Sequence, residues 1–232
     1  MNNKPLHILL TGASRGIGKA ILDNLSGRGA RVIGLSSADG DLSARDTPTG
    51  LWNDALDRLD GRIDALVNNA GVFEASPIDA TDDAWLDNWQ RTMAINLTAA
   101  ATFCRHAVIH MQSQGGGRIL NIASRAAHRG DSPAHWHYAA SKGGMVSMTK
   151  TIARAYAKDA IYAFAICPGF TMTGMAEEYL QSRGGDKLLA DIPLGRVAMP
   201  EEVAAMAAFC IFEAPPSMTG AVLDINGASY VR

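Results

Sequence analysis

The chain lacks the marks of several common protein classes. Cysteine is scarce: Cys104, Cys167 and Cys210 are odd in number, far apart and form no C-x-x-C pair. A disulfide framework and a thiol redox motif are thereby excluded, and the three read as reduced thiols used in packing. Long apolar runs are missing, and nothing approaches the ~20 residues a membrane helix needs. The first run, Leu6–Leu10, is too short for the core of a signal peptide. Excess charge of one sign is missing too, with 21 Lys+Arg against 23 Asp+Glu and a net charge of −2. No basic face is available for nucleic acid or an anionic membrane surface. There is no internal repeat and no linker rich enough to split the chain, because Gly115-Gly116-Gly117 is only a short turn. What remains is a cytoplasmic globular chain whose residues 1–232 are expected to form one domain. Hydrophobic residues make up 47% and charged residues 19%, enough for a sizeable core.

Short apolar runs alternate with longer amphipathic stretches. Strands are expected at Leu6–Thr11, Arg31–Leu35, Ile63–Asn68, Arg118–Ile122, Ile161–Ile166 and Ala221–Ile225. Helices are expected at Ile17–Arg28, Trp52–Leu59, Asp82–His110, Tyr138–Ala157 and Glu201–Phe212. The alternation predicts an α/β fold: one doubly wound parallel sheet of Rossmann type with helices on both faces. After Leu35 only Ser36 to Gly40 precede Asp41, whereas a parallel crossover takes a dozen residues or more. The helix between strands 2 and 3 is therefore missing. Strand 3 is absent, displaced or reduced to a fragment near Gly40–Ser43.

Gly12-Ala13-Ser14-Arg15-Gly16-Ile17-Gly18 lies between the first strand and the first helix. Glycines at a strand-to-helix turn let backbone approach a pyrophosphate, and the helix N-terminus offers free N–H groups. A glycine turn without ligand has the same local look, and position is what favours a dinucleotide. Further on, Tyr138 and Lys142 are four apart and share a helical face. A phenol of pKa ~10 needs ~4 kcal/mol to titrate near neutrality. A cation ~4 Å away supplies about that much at an effective dielectric of ~20. Alone, the pair also fits a surface helix with an incidental Tyr and Lys.

The glycine spacing, G-x-x-x-G-x-G, together with the Tyr138-Ala-Ala-Ser-Lys142 segment, resembles the short-chain dehydrogenase/reductase family. The likeness lies in its compact single-domain branch, near 3-oxoacyl-acyl-carrier-protein reductases, from Leu6 to about Gly227. It implies a catalytic set of Asn96, Ser124, Tyr138 and Lys142. It implies cofactor contacts from Gly12, Ser14, Arg15, Gly16, Ile17 and Gly18, and from Ser37, Asp41 and Leu42 after the second strand. Asn69, Ala70 and Gly71 are expected at the adenine-ribose end. Pro168, Gly169, Thr171 and Thr173 are expected at the carboxamide end, beside Tyr138 and Lys142.

The implied function is hydride transfer between NADP or NAD and a carbonyl or secondary alcohol carbon of a small molecule. The substrate is a 3-oxoacyl thioester, a sugar or polyol, or an aromatic alcohol. A regulator that senses the dinucleotide without turning it over is the alternative of a different class. No acid stands at Ser36 or Ser37, where one would bind the NAD ribose, and Arg15 suits a 2′-phosphate; NADP is favoured. Asp39 lies close enough in sequence to reach the ribose in a remodelled loop. His128, His135, Trp136 and His137 suggest a polar or aromatic substrate, and exposed loop residues read the same way. No cysteine or carboxylate joins these histidines at ligand spacing, so no metal is expected. Residues 172–195 are expected to form a substrate lid. A homotetramer, or a dimer, is expected through the Asp82–His110 and Tyr138–Ala157 helices.

Overall fold

The computed structural model of the chain describes residues 5–173 and 185–232. Six parallel strands form one sheet in the order β2-β1-β3-β4-β5-β6. They are β1 His7–Thr11, β2 Arg31–Leu35, β3 Ala65–Asn68, β4 Gly117–Ile122, β5 Ile161–Pro168 and β6 Val222–Ile225. The order reverses beside β1, which opens the crevice where doubly wound sheets take their ligands. Both faces of the sheet are covered, so successive strand residues feed opposite cores. Ile8, Leu10, Val67, Leu120, Phe164 and Ile166 pack on one side. Leu9, Leu66, Ile119 and Ala163 pack on the other.

On the first side lie α1 Gly16–Gly27 and the later helix Pro200–Ala208, packed against each other. On the second side lie α2 Thr47–Arg58, then α3 Asp82–Met93, α4 Ala99–Gln114 and α6 Trp136–Tyr156. A short α5, Ala126–Arg129, falls in a stretch read from sequence as loop, and α7 Gly185–Ala190 precedes α8 Pro200–Ala208. Residues 174–184 of the expected lid lie outside the described residues. Helix α2 starts at Thr47, five residues before the expected Trp52, because Pro48 in the first turn suits a helix start.

Between β2 and α2 the chain makes turns only, and no strand forms at Gly40–Ser43. The helix before the family's third strand is absent, and so is that strand, as the short spacing requires. The expected single helix Asp82–His110 is broken: α3 and α4 are joined by a π-helical turn, Ala94–Thr98, with Asn96 inside it. Asparagine is a poor helix former, and a π turn is one way a helix accommodates such a residue at a functional position.

Candidate active site

The C-terminal ends of β1, β3, β4 and β5 carry the candidate residues, and a parallel sheet brings all four ends to one rim. At β1 the chain turns through Gly12 with φ +70°. A Cβ on Gly12 would stand 2.7 Å from the Ala70 Cα, and one on Gly18 would stand 1.9 Å from the Gly12 carbonyl oxygen. Gly16, at φ +53°, faces Thr173, whose Cγ2 would be 3.0 Å from an added Cβ. Thr173 is thus brought from beyond β5 to the glycine turn. No side chain caps the start of α1, and its first turn holds no acid. A helix N-terminus kept free of side-chain caps is suited to an anion. Bare backbone on a sharp turn beside it is what a pyrophosphate requires, so these residues fit a dinucleotide.

The β3 end is tied to this turn. Thr11 Oγ1 accepts from the Asn69 and Ala70 N–H groups, both at 3.1 Å. Asn69 Nδ2 donates to the Thr11 and Gly12 carbonyls at 3.2 and 2.9 Å. Thr11 was not singled out from sequence, although a threonine closing a strand before the glycine turn is a usable signal. Beyond β2, Ser37 is exposed in a turn. Asp41 accepts the Ser43 N–H at 2.9 Å, and Leu42 packs with the core beneath α2. Asp39 folds back so that its Oδ2 accepts from the Ser36 N–H and hydroxyl at 2.7 and 3.0 Å.

Ser124, Tyr138, Lys142 and Asn96 converge. Lys142, 4% exposed, donates to the Ile122 carbonyl at 2.9 Å, and its Nζ lies 5.8 Å from the Tyr138 ring centre. An added Cβ at Gly71 would lie 3.3 Å from Asn96 Oδ1 and 3.5 Å from Lys142 Nζ. Asn96 Oδ1 accepts from the Val72 N–H at 2.8 Å. Its Nδ2 donates to the Val72 carbonyl at 3.0 Å and to Ser141 Oγ at 3.3 Å. The asparagine side chain therefore locks the Gly71–Val72 turn to α6. Ser141 was not anticipated, though it lies within the Tyr-to-Lys segment.

One expectation fails here. Burial pushes the Tyr138 phenol up to about 12, with the Ser124 hydroxyl pulling the other way. Burial also brings Lys142 itself down to about 8. The ammonium turns to the Ile122 carbonyl, so the sequence-based sum, with a cation ~4 Å from the phenol, overstated what the lysine does alone. Desolvation dominates both groups.

Around the mouth, Phe73 sets its ring edge-on to Tyr138 at 4.8 Å and stacks on His135 at 3.9 Å. Ser132 Oγ and His135 Nδ1 are 2.6 Å apart. His137 is buried against the Glu74 carbonyl at 3.0 Å, so it belongs to the scaffold. Phe73, two residues after Gly71, was missed because only folding brings it to the phenol.

A parallel sheet with an uncapped glycine turn at its switch point, and a phenol–lysine–serine group on the same rim, defines a dinucleotide-dependent oxidoreductase. Comparison with known proteins gives the family. A family model described as enoyl-(acyl carrier protein) reductase matches residues 34–228. The 3-oxoacyl-acyl-carrier-protein reductase of Vibrio cholerae is 31% identical over 248 residues, covering 100% of both chains. D-threitol dehydrogenase of Mycolicibacterium smegmatis is 33% identical over 244 residues, covering 97% of this chain and 92% of the relative. The ligand-free aldohexose dehydrogenase of Thermoplasma acidophilum superposes with a TM-score of 0.87 at 26% identity, covering 99% of this chain and 95% of the other. The chain belongs to the short-chain dehydrogenase/reductase family. It is an oxidoreductase acting on alcohol and carbonyl carbons with a nicotinamide cofactor.

Proposed function

We propose that the chain interconverts a secondary alcohol and a ketone on a small polyhydroxylated substrate, with Asn96, Ser124, Tyr138 and Lys142 as its working residues. The observation that carries this is the meeting of Tyr138, Ser124 and Lys142 on the rim that also bears the glycine turn. When bound, the nicotinamide supplies or accepts the hydride. Gly12, Ser14, Arg15, Gly16, Ile17 and Gly18 would hold its pyrophosphate side. Ser37, Asp41, Leu42, Asn69, Ala70 and Gly71 would line the adenosine side. Pro168, Gly169, Thr171 and Thr173 would flank the carboxamide, and Lys142 the ribose.

In reduction, the Tyr138 hydroxyl donates its proton to the substrate oxygen as general acid, and it recovers the proton in oxidation. The Ser124 hydroxyl steadies that oxygen by a hydrogen bond. The phenol stands far above neutral pH in the protein alone. Its activation therefore needs the cationic nicotinamide as well as the lysine. Asn96 acts by position. Its side chain is filled by Val72 and Ser141 and sits in the π turn between α3 and α4.

The polyhydroxylated class rests on Phe73, His135 and Ser132 at the mouth. An aromatic face beside polar donors suits the C–H and O–H edges of a polyol or sugar. The named activities of the threitol and aldohexose dehydrogenases support the same choice, and that of the Vibrio cholerae reductase supports a 3-oxoacyl thioester. NADP is the proposed dinucleotide. Arg15 is exposed at the glycine turn, whereas Asp39 is engaged by Ser36. Asp39 is also the residue that favours NAD, as the acid nearest the end of β2 in the chain.

Assembly into a homotetramer, or a dimer, is supported by Leu86, Ile109 and Trp136, large apolar side chains exposed on α3, α4 and α6. Light scattering on the purified chain tests it, and a monomer would refute it. Among the described residues no helix is long and apolar enough to cross a membrane, and a cytoplasmic place is proposed. The function is tested by following reduced nicotinamide optically, with NADPH and NADH, against ketoses, acetoacetyl thioesters and aryl ketones. Tyr138→Phe should keep cofactor affinity and lose about 10²- to 10⁴-fold in turnover. Binding of either dinucleotide without turnover of any substrate would replace this reading with that of a dinucleotide sensor.

A further inference from the structure

Behind Ser124 lies a cluster that the reaction does not use. His128 on α5, Cys167 near the end of β5 and Asp224 on β6 point their ligand atoms at one spot, all within 4.8 Å of one another. His128 Nε2 and Cys167 Sγ are 3.6 Å apart. With Zn–S of ~2.3 Å and Zn–N of ~2.0–2.1 Å at a tetrahedral angle, two ligands of one zinc ion stand ~3.6 Å apart. The pair already has the spacing of a coordination edge. The His128 ring is held in place by stacking on Tyr230, at 5.9 Å and 3° between planes. Cys167 and Asp224 are register partners across β5 and β6. No local pattern points to this site, because ligand spacing along the loop brings neither a thiol nor a carboxylate to the histidine.

We infer that His128, Cys167 and Asp224 form a three-ligand site for a zinc-class divalent metal, with water in the remaining position. Mixed nitrogen, sulfur and oxygen donors suit zinc and its neighbours and exclude magnesium and calcium, which prefer oxygen alone. The charges close as well: one thiolate and one carboxylate balance a divalent ion. Cys167 is fully buried and protonated before binding, so the metal takes the place of the thiol proton, which leaves to solvent. Arg232 holds Oδ2 of Asp224 from 2.9 Å, on the same carboxylate that would bind the metal. The guanidinium is the built-in competitor of the ion. Cys167 Sγ also accepts the Ser124 backbone N–H. An occupied site would therefore fasten β5, β6 and α5 directly behind the serine of the candidate site.

The test uses the full chain stripped by a chelator and titrated with Co²⁺ alone, followed by Zn²⁺. One equivalent of Co²⁺ should raise thiolate-to-cobalt charge-transfer and tetrahedral d–d absorption, which Zn²⁺ then abolishes. Cys167→Ser should remove the charge-transfer band, and Cys104→Ser should keep it. His128→Gln should weaken binding by more than the roughly 10- to 100-fold that losing an outer partner costs. Arg232→Ala, a change at an exposed side chain that leaves all three ligands intact, should tighten binding. No thiolate band in the wild-type chain and in Arg232→Ala overturns the inference. So does a band that survives in Cys167→Ser.

Discussion

Replacing Lys142 by methionine should separate stability from catalysis. The ammonium is 4% exposed and donates to one carbonyl, that of Ile122. Burial lowers it from 10.5 to about 8, a cost of roughly 3 kcal/mol at ~1.36 kcal/mol per tenfold change. Below pH 8 both the folded and unfolded chains hold the proton, and the folded state bears the whole cost. Between pH 8 and 10.5 the folded chain releases it first, the unfolded chain binds more protons, and stability rises. Cys104, Cys167 and Cys210 work in the opposite direction. Burial holds them at about 12, 11 and 11 against an ordinary 9.0, so their contribution is lost as pH climbs past 9. They are common to both proteins and cancel in the difference.

Methionine fills nearly the same volume without charge, but it leaves the Ile122 carbonyl short of a donor, at about 1–3 kcal/mol. At pH 7 the variant should therefore unfold at about the wild-type denaturant concentration or somewhat above it, with turnover lost. From pH 7.5 to 10.5 the difference should move about 3 kcal/mol toward wild type. Urea unfolding of the cofactor-free chains at several pH values measures it. Parallel stability curves would refute the claim that a buried, desolvated ammonium sits at this position.

Three other substitutions probe the cofactor side. Gly18→Ala places a methyl group 1.9 Å from the Gly12 carbonyl oxygen; the turn must open, and dinucleotide binding, read by fluorescence titration, should fall far more than overall helix content. Arg15→Ala should weaken NADPH by about 10- to 100-fold, the worth of a charge-assisted hydrogen bond of ~1.5–3 kcal/mol, and leave NADH unchanged. Asp39→Ala should shift the ratio toward NADPH, and an unchanged NADPH-to-NADH ratio in both variants would take the 2′ position away from these residues.

Much of this was legible in the chain because it is local. Strand positions follow from apolar runs between turn residues, and β2 fell at Arg31–Leu35 as read. The absent crossover helix followed from counting five residues where a dozen are needed. The face shared by Tyr138 and Lys142 follows from helical geometry alone. Contacts made across the fold were not legible. The acceptor of Lys142 is the carbonyl of Ile122, 20 residues away, and no helical periodicity gives that contact. The break at Asn96 was not legible either, because its form, a π turn clasping Val72, depends on a loop 24 residues upstream.

The same distinction explains why the family was easier to read than the substrate. The reaction needs a phenol, a lysine and a serine at fixed places relative to backbone turns, and turns and helical faces are written in short sequence. Discrimination between substrates depends on what Phe73, His135 and Ser132 present together beside Tyr138. Those side chains arrive from the loop after β3 and from the approach to α6, so their meeting depends on the packing of two separate segments. A substrate preference that follows Phe73→Ala, with Tyr138 chemistry otherwise intact, is the outcome this separation requires.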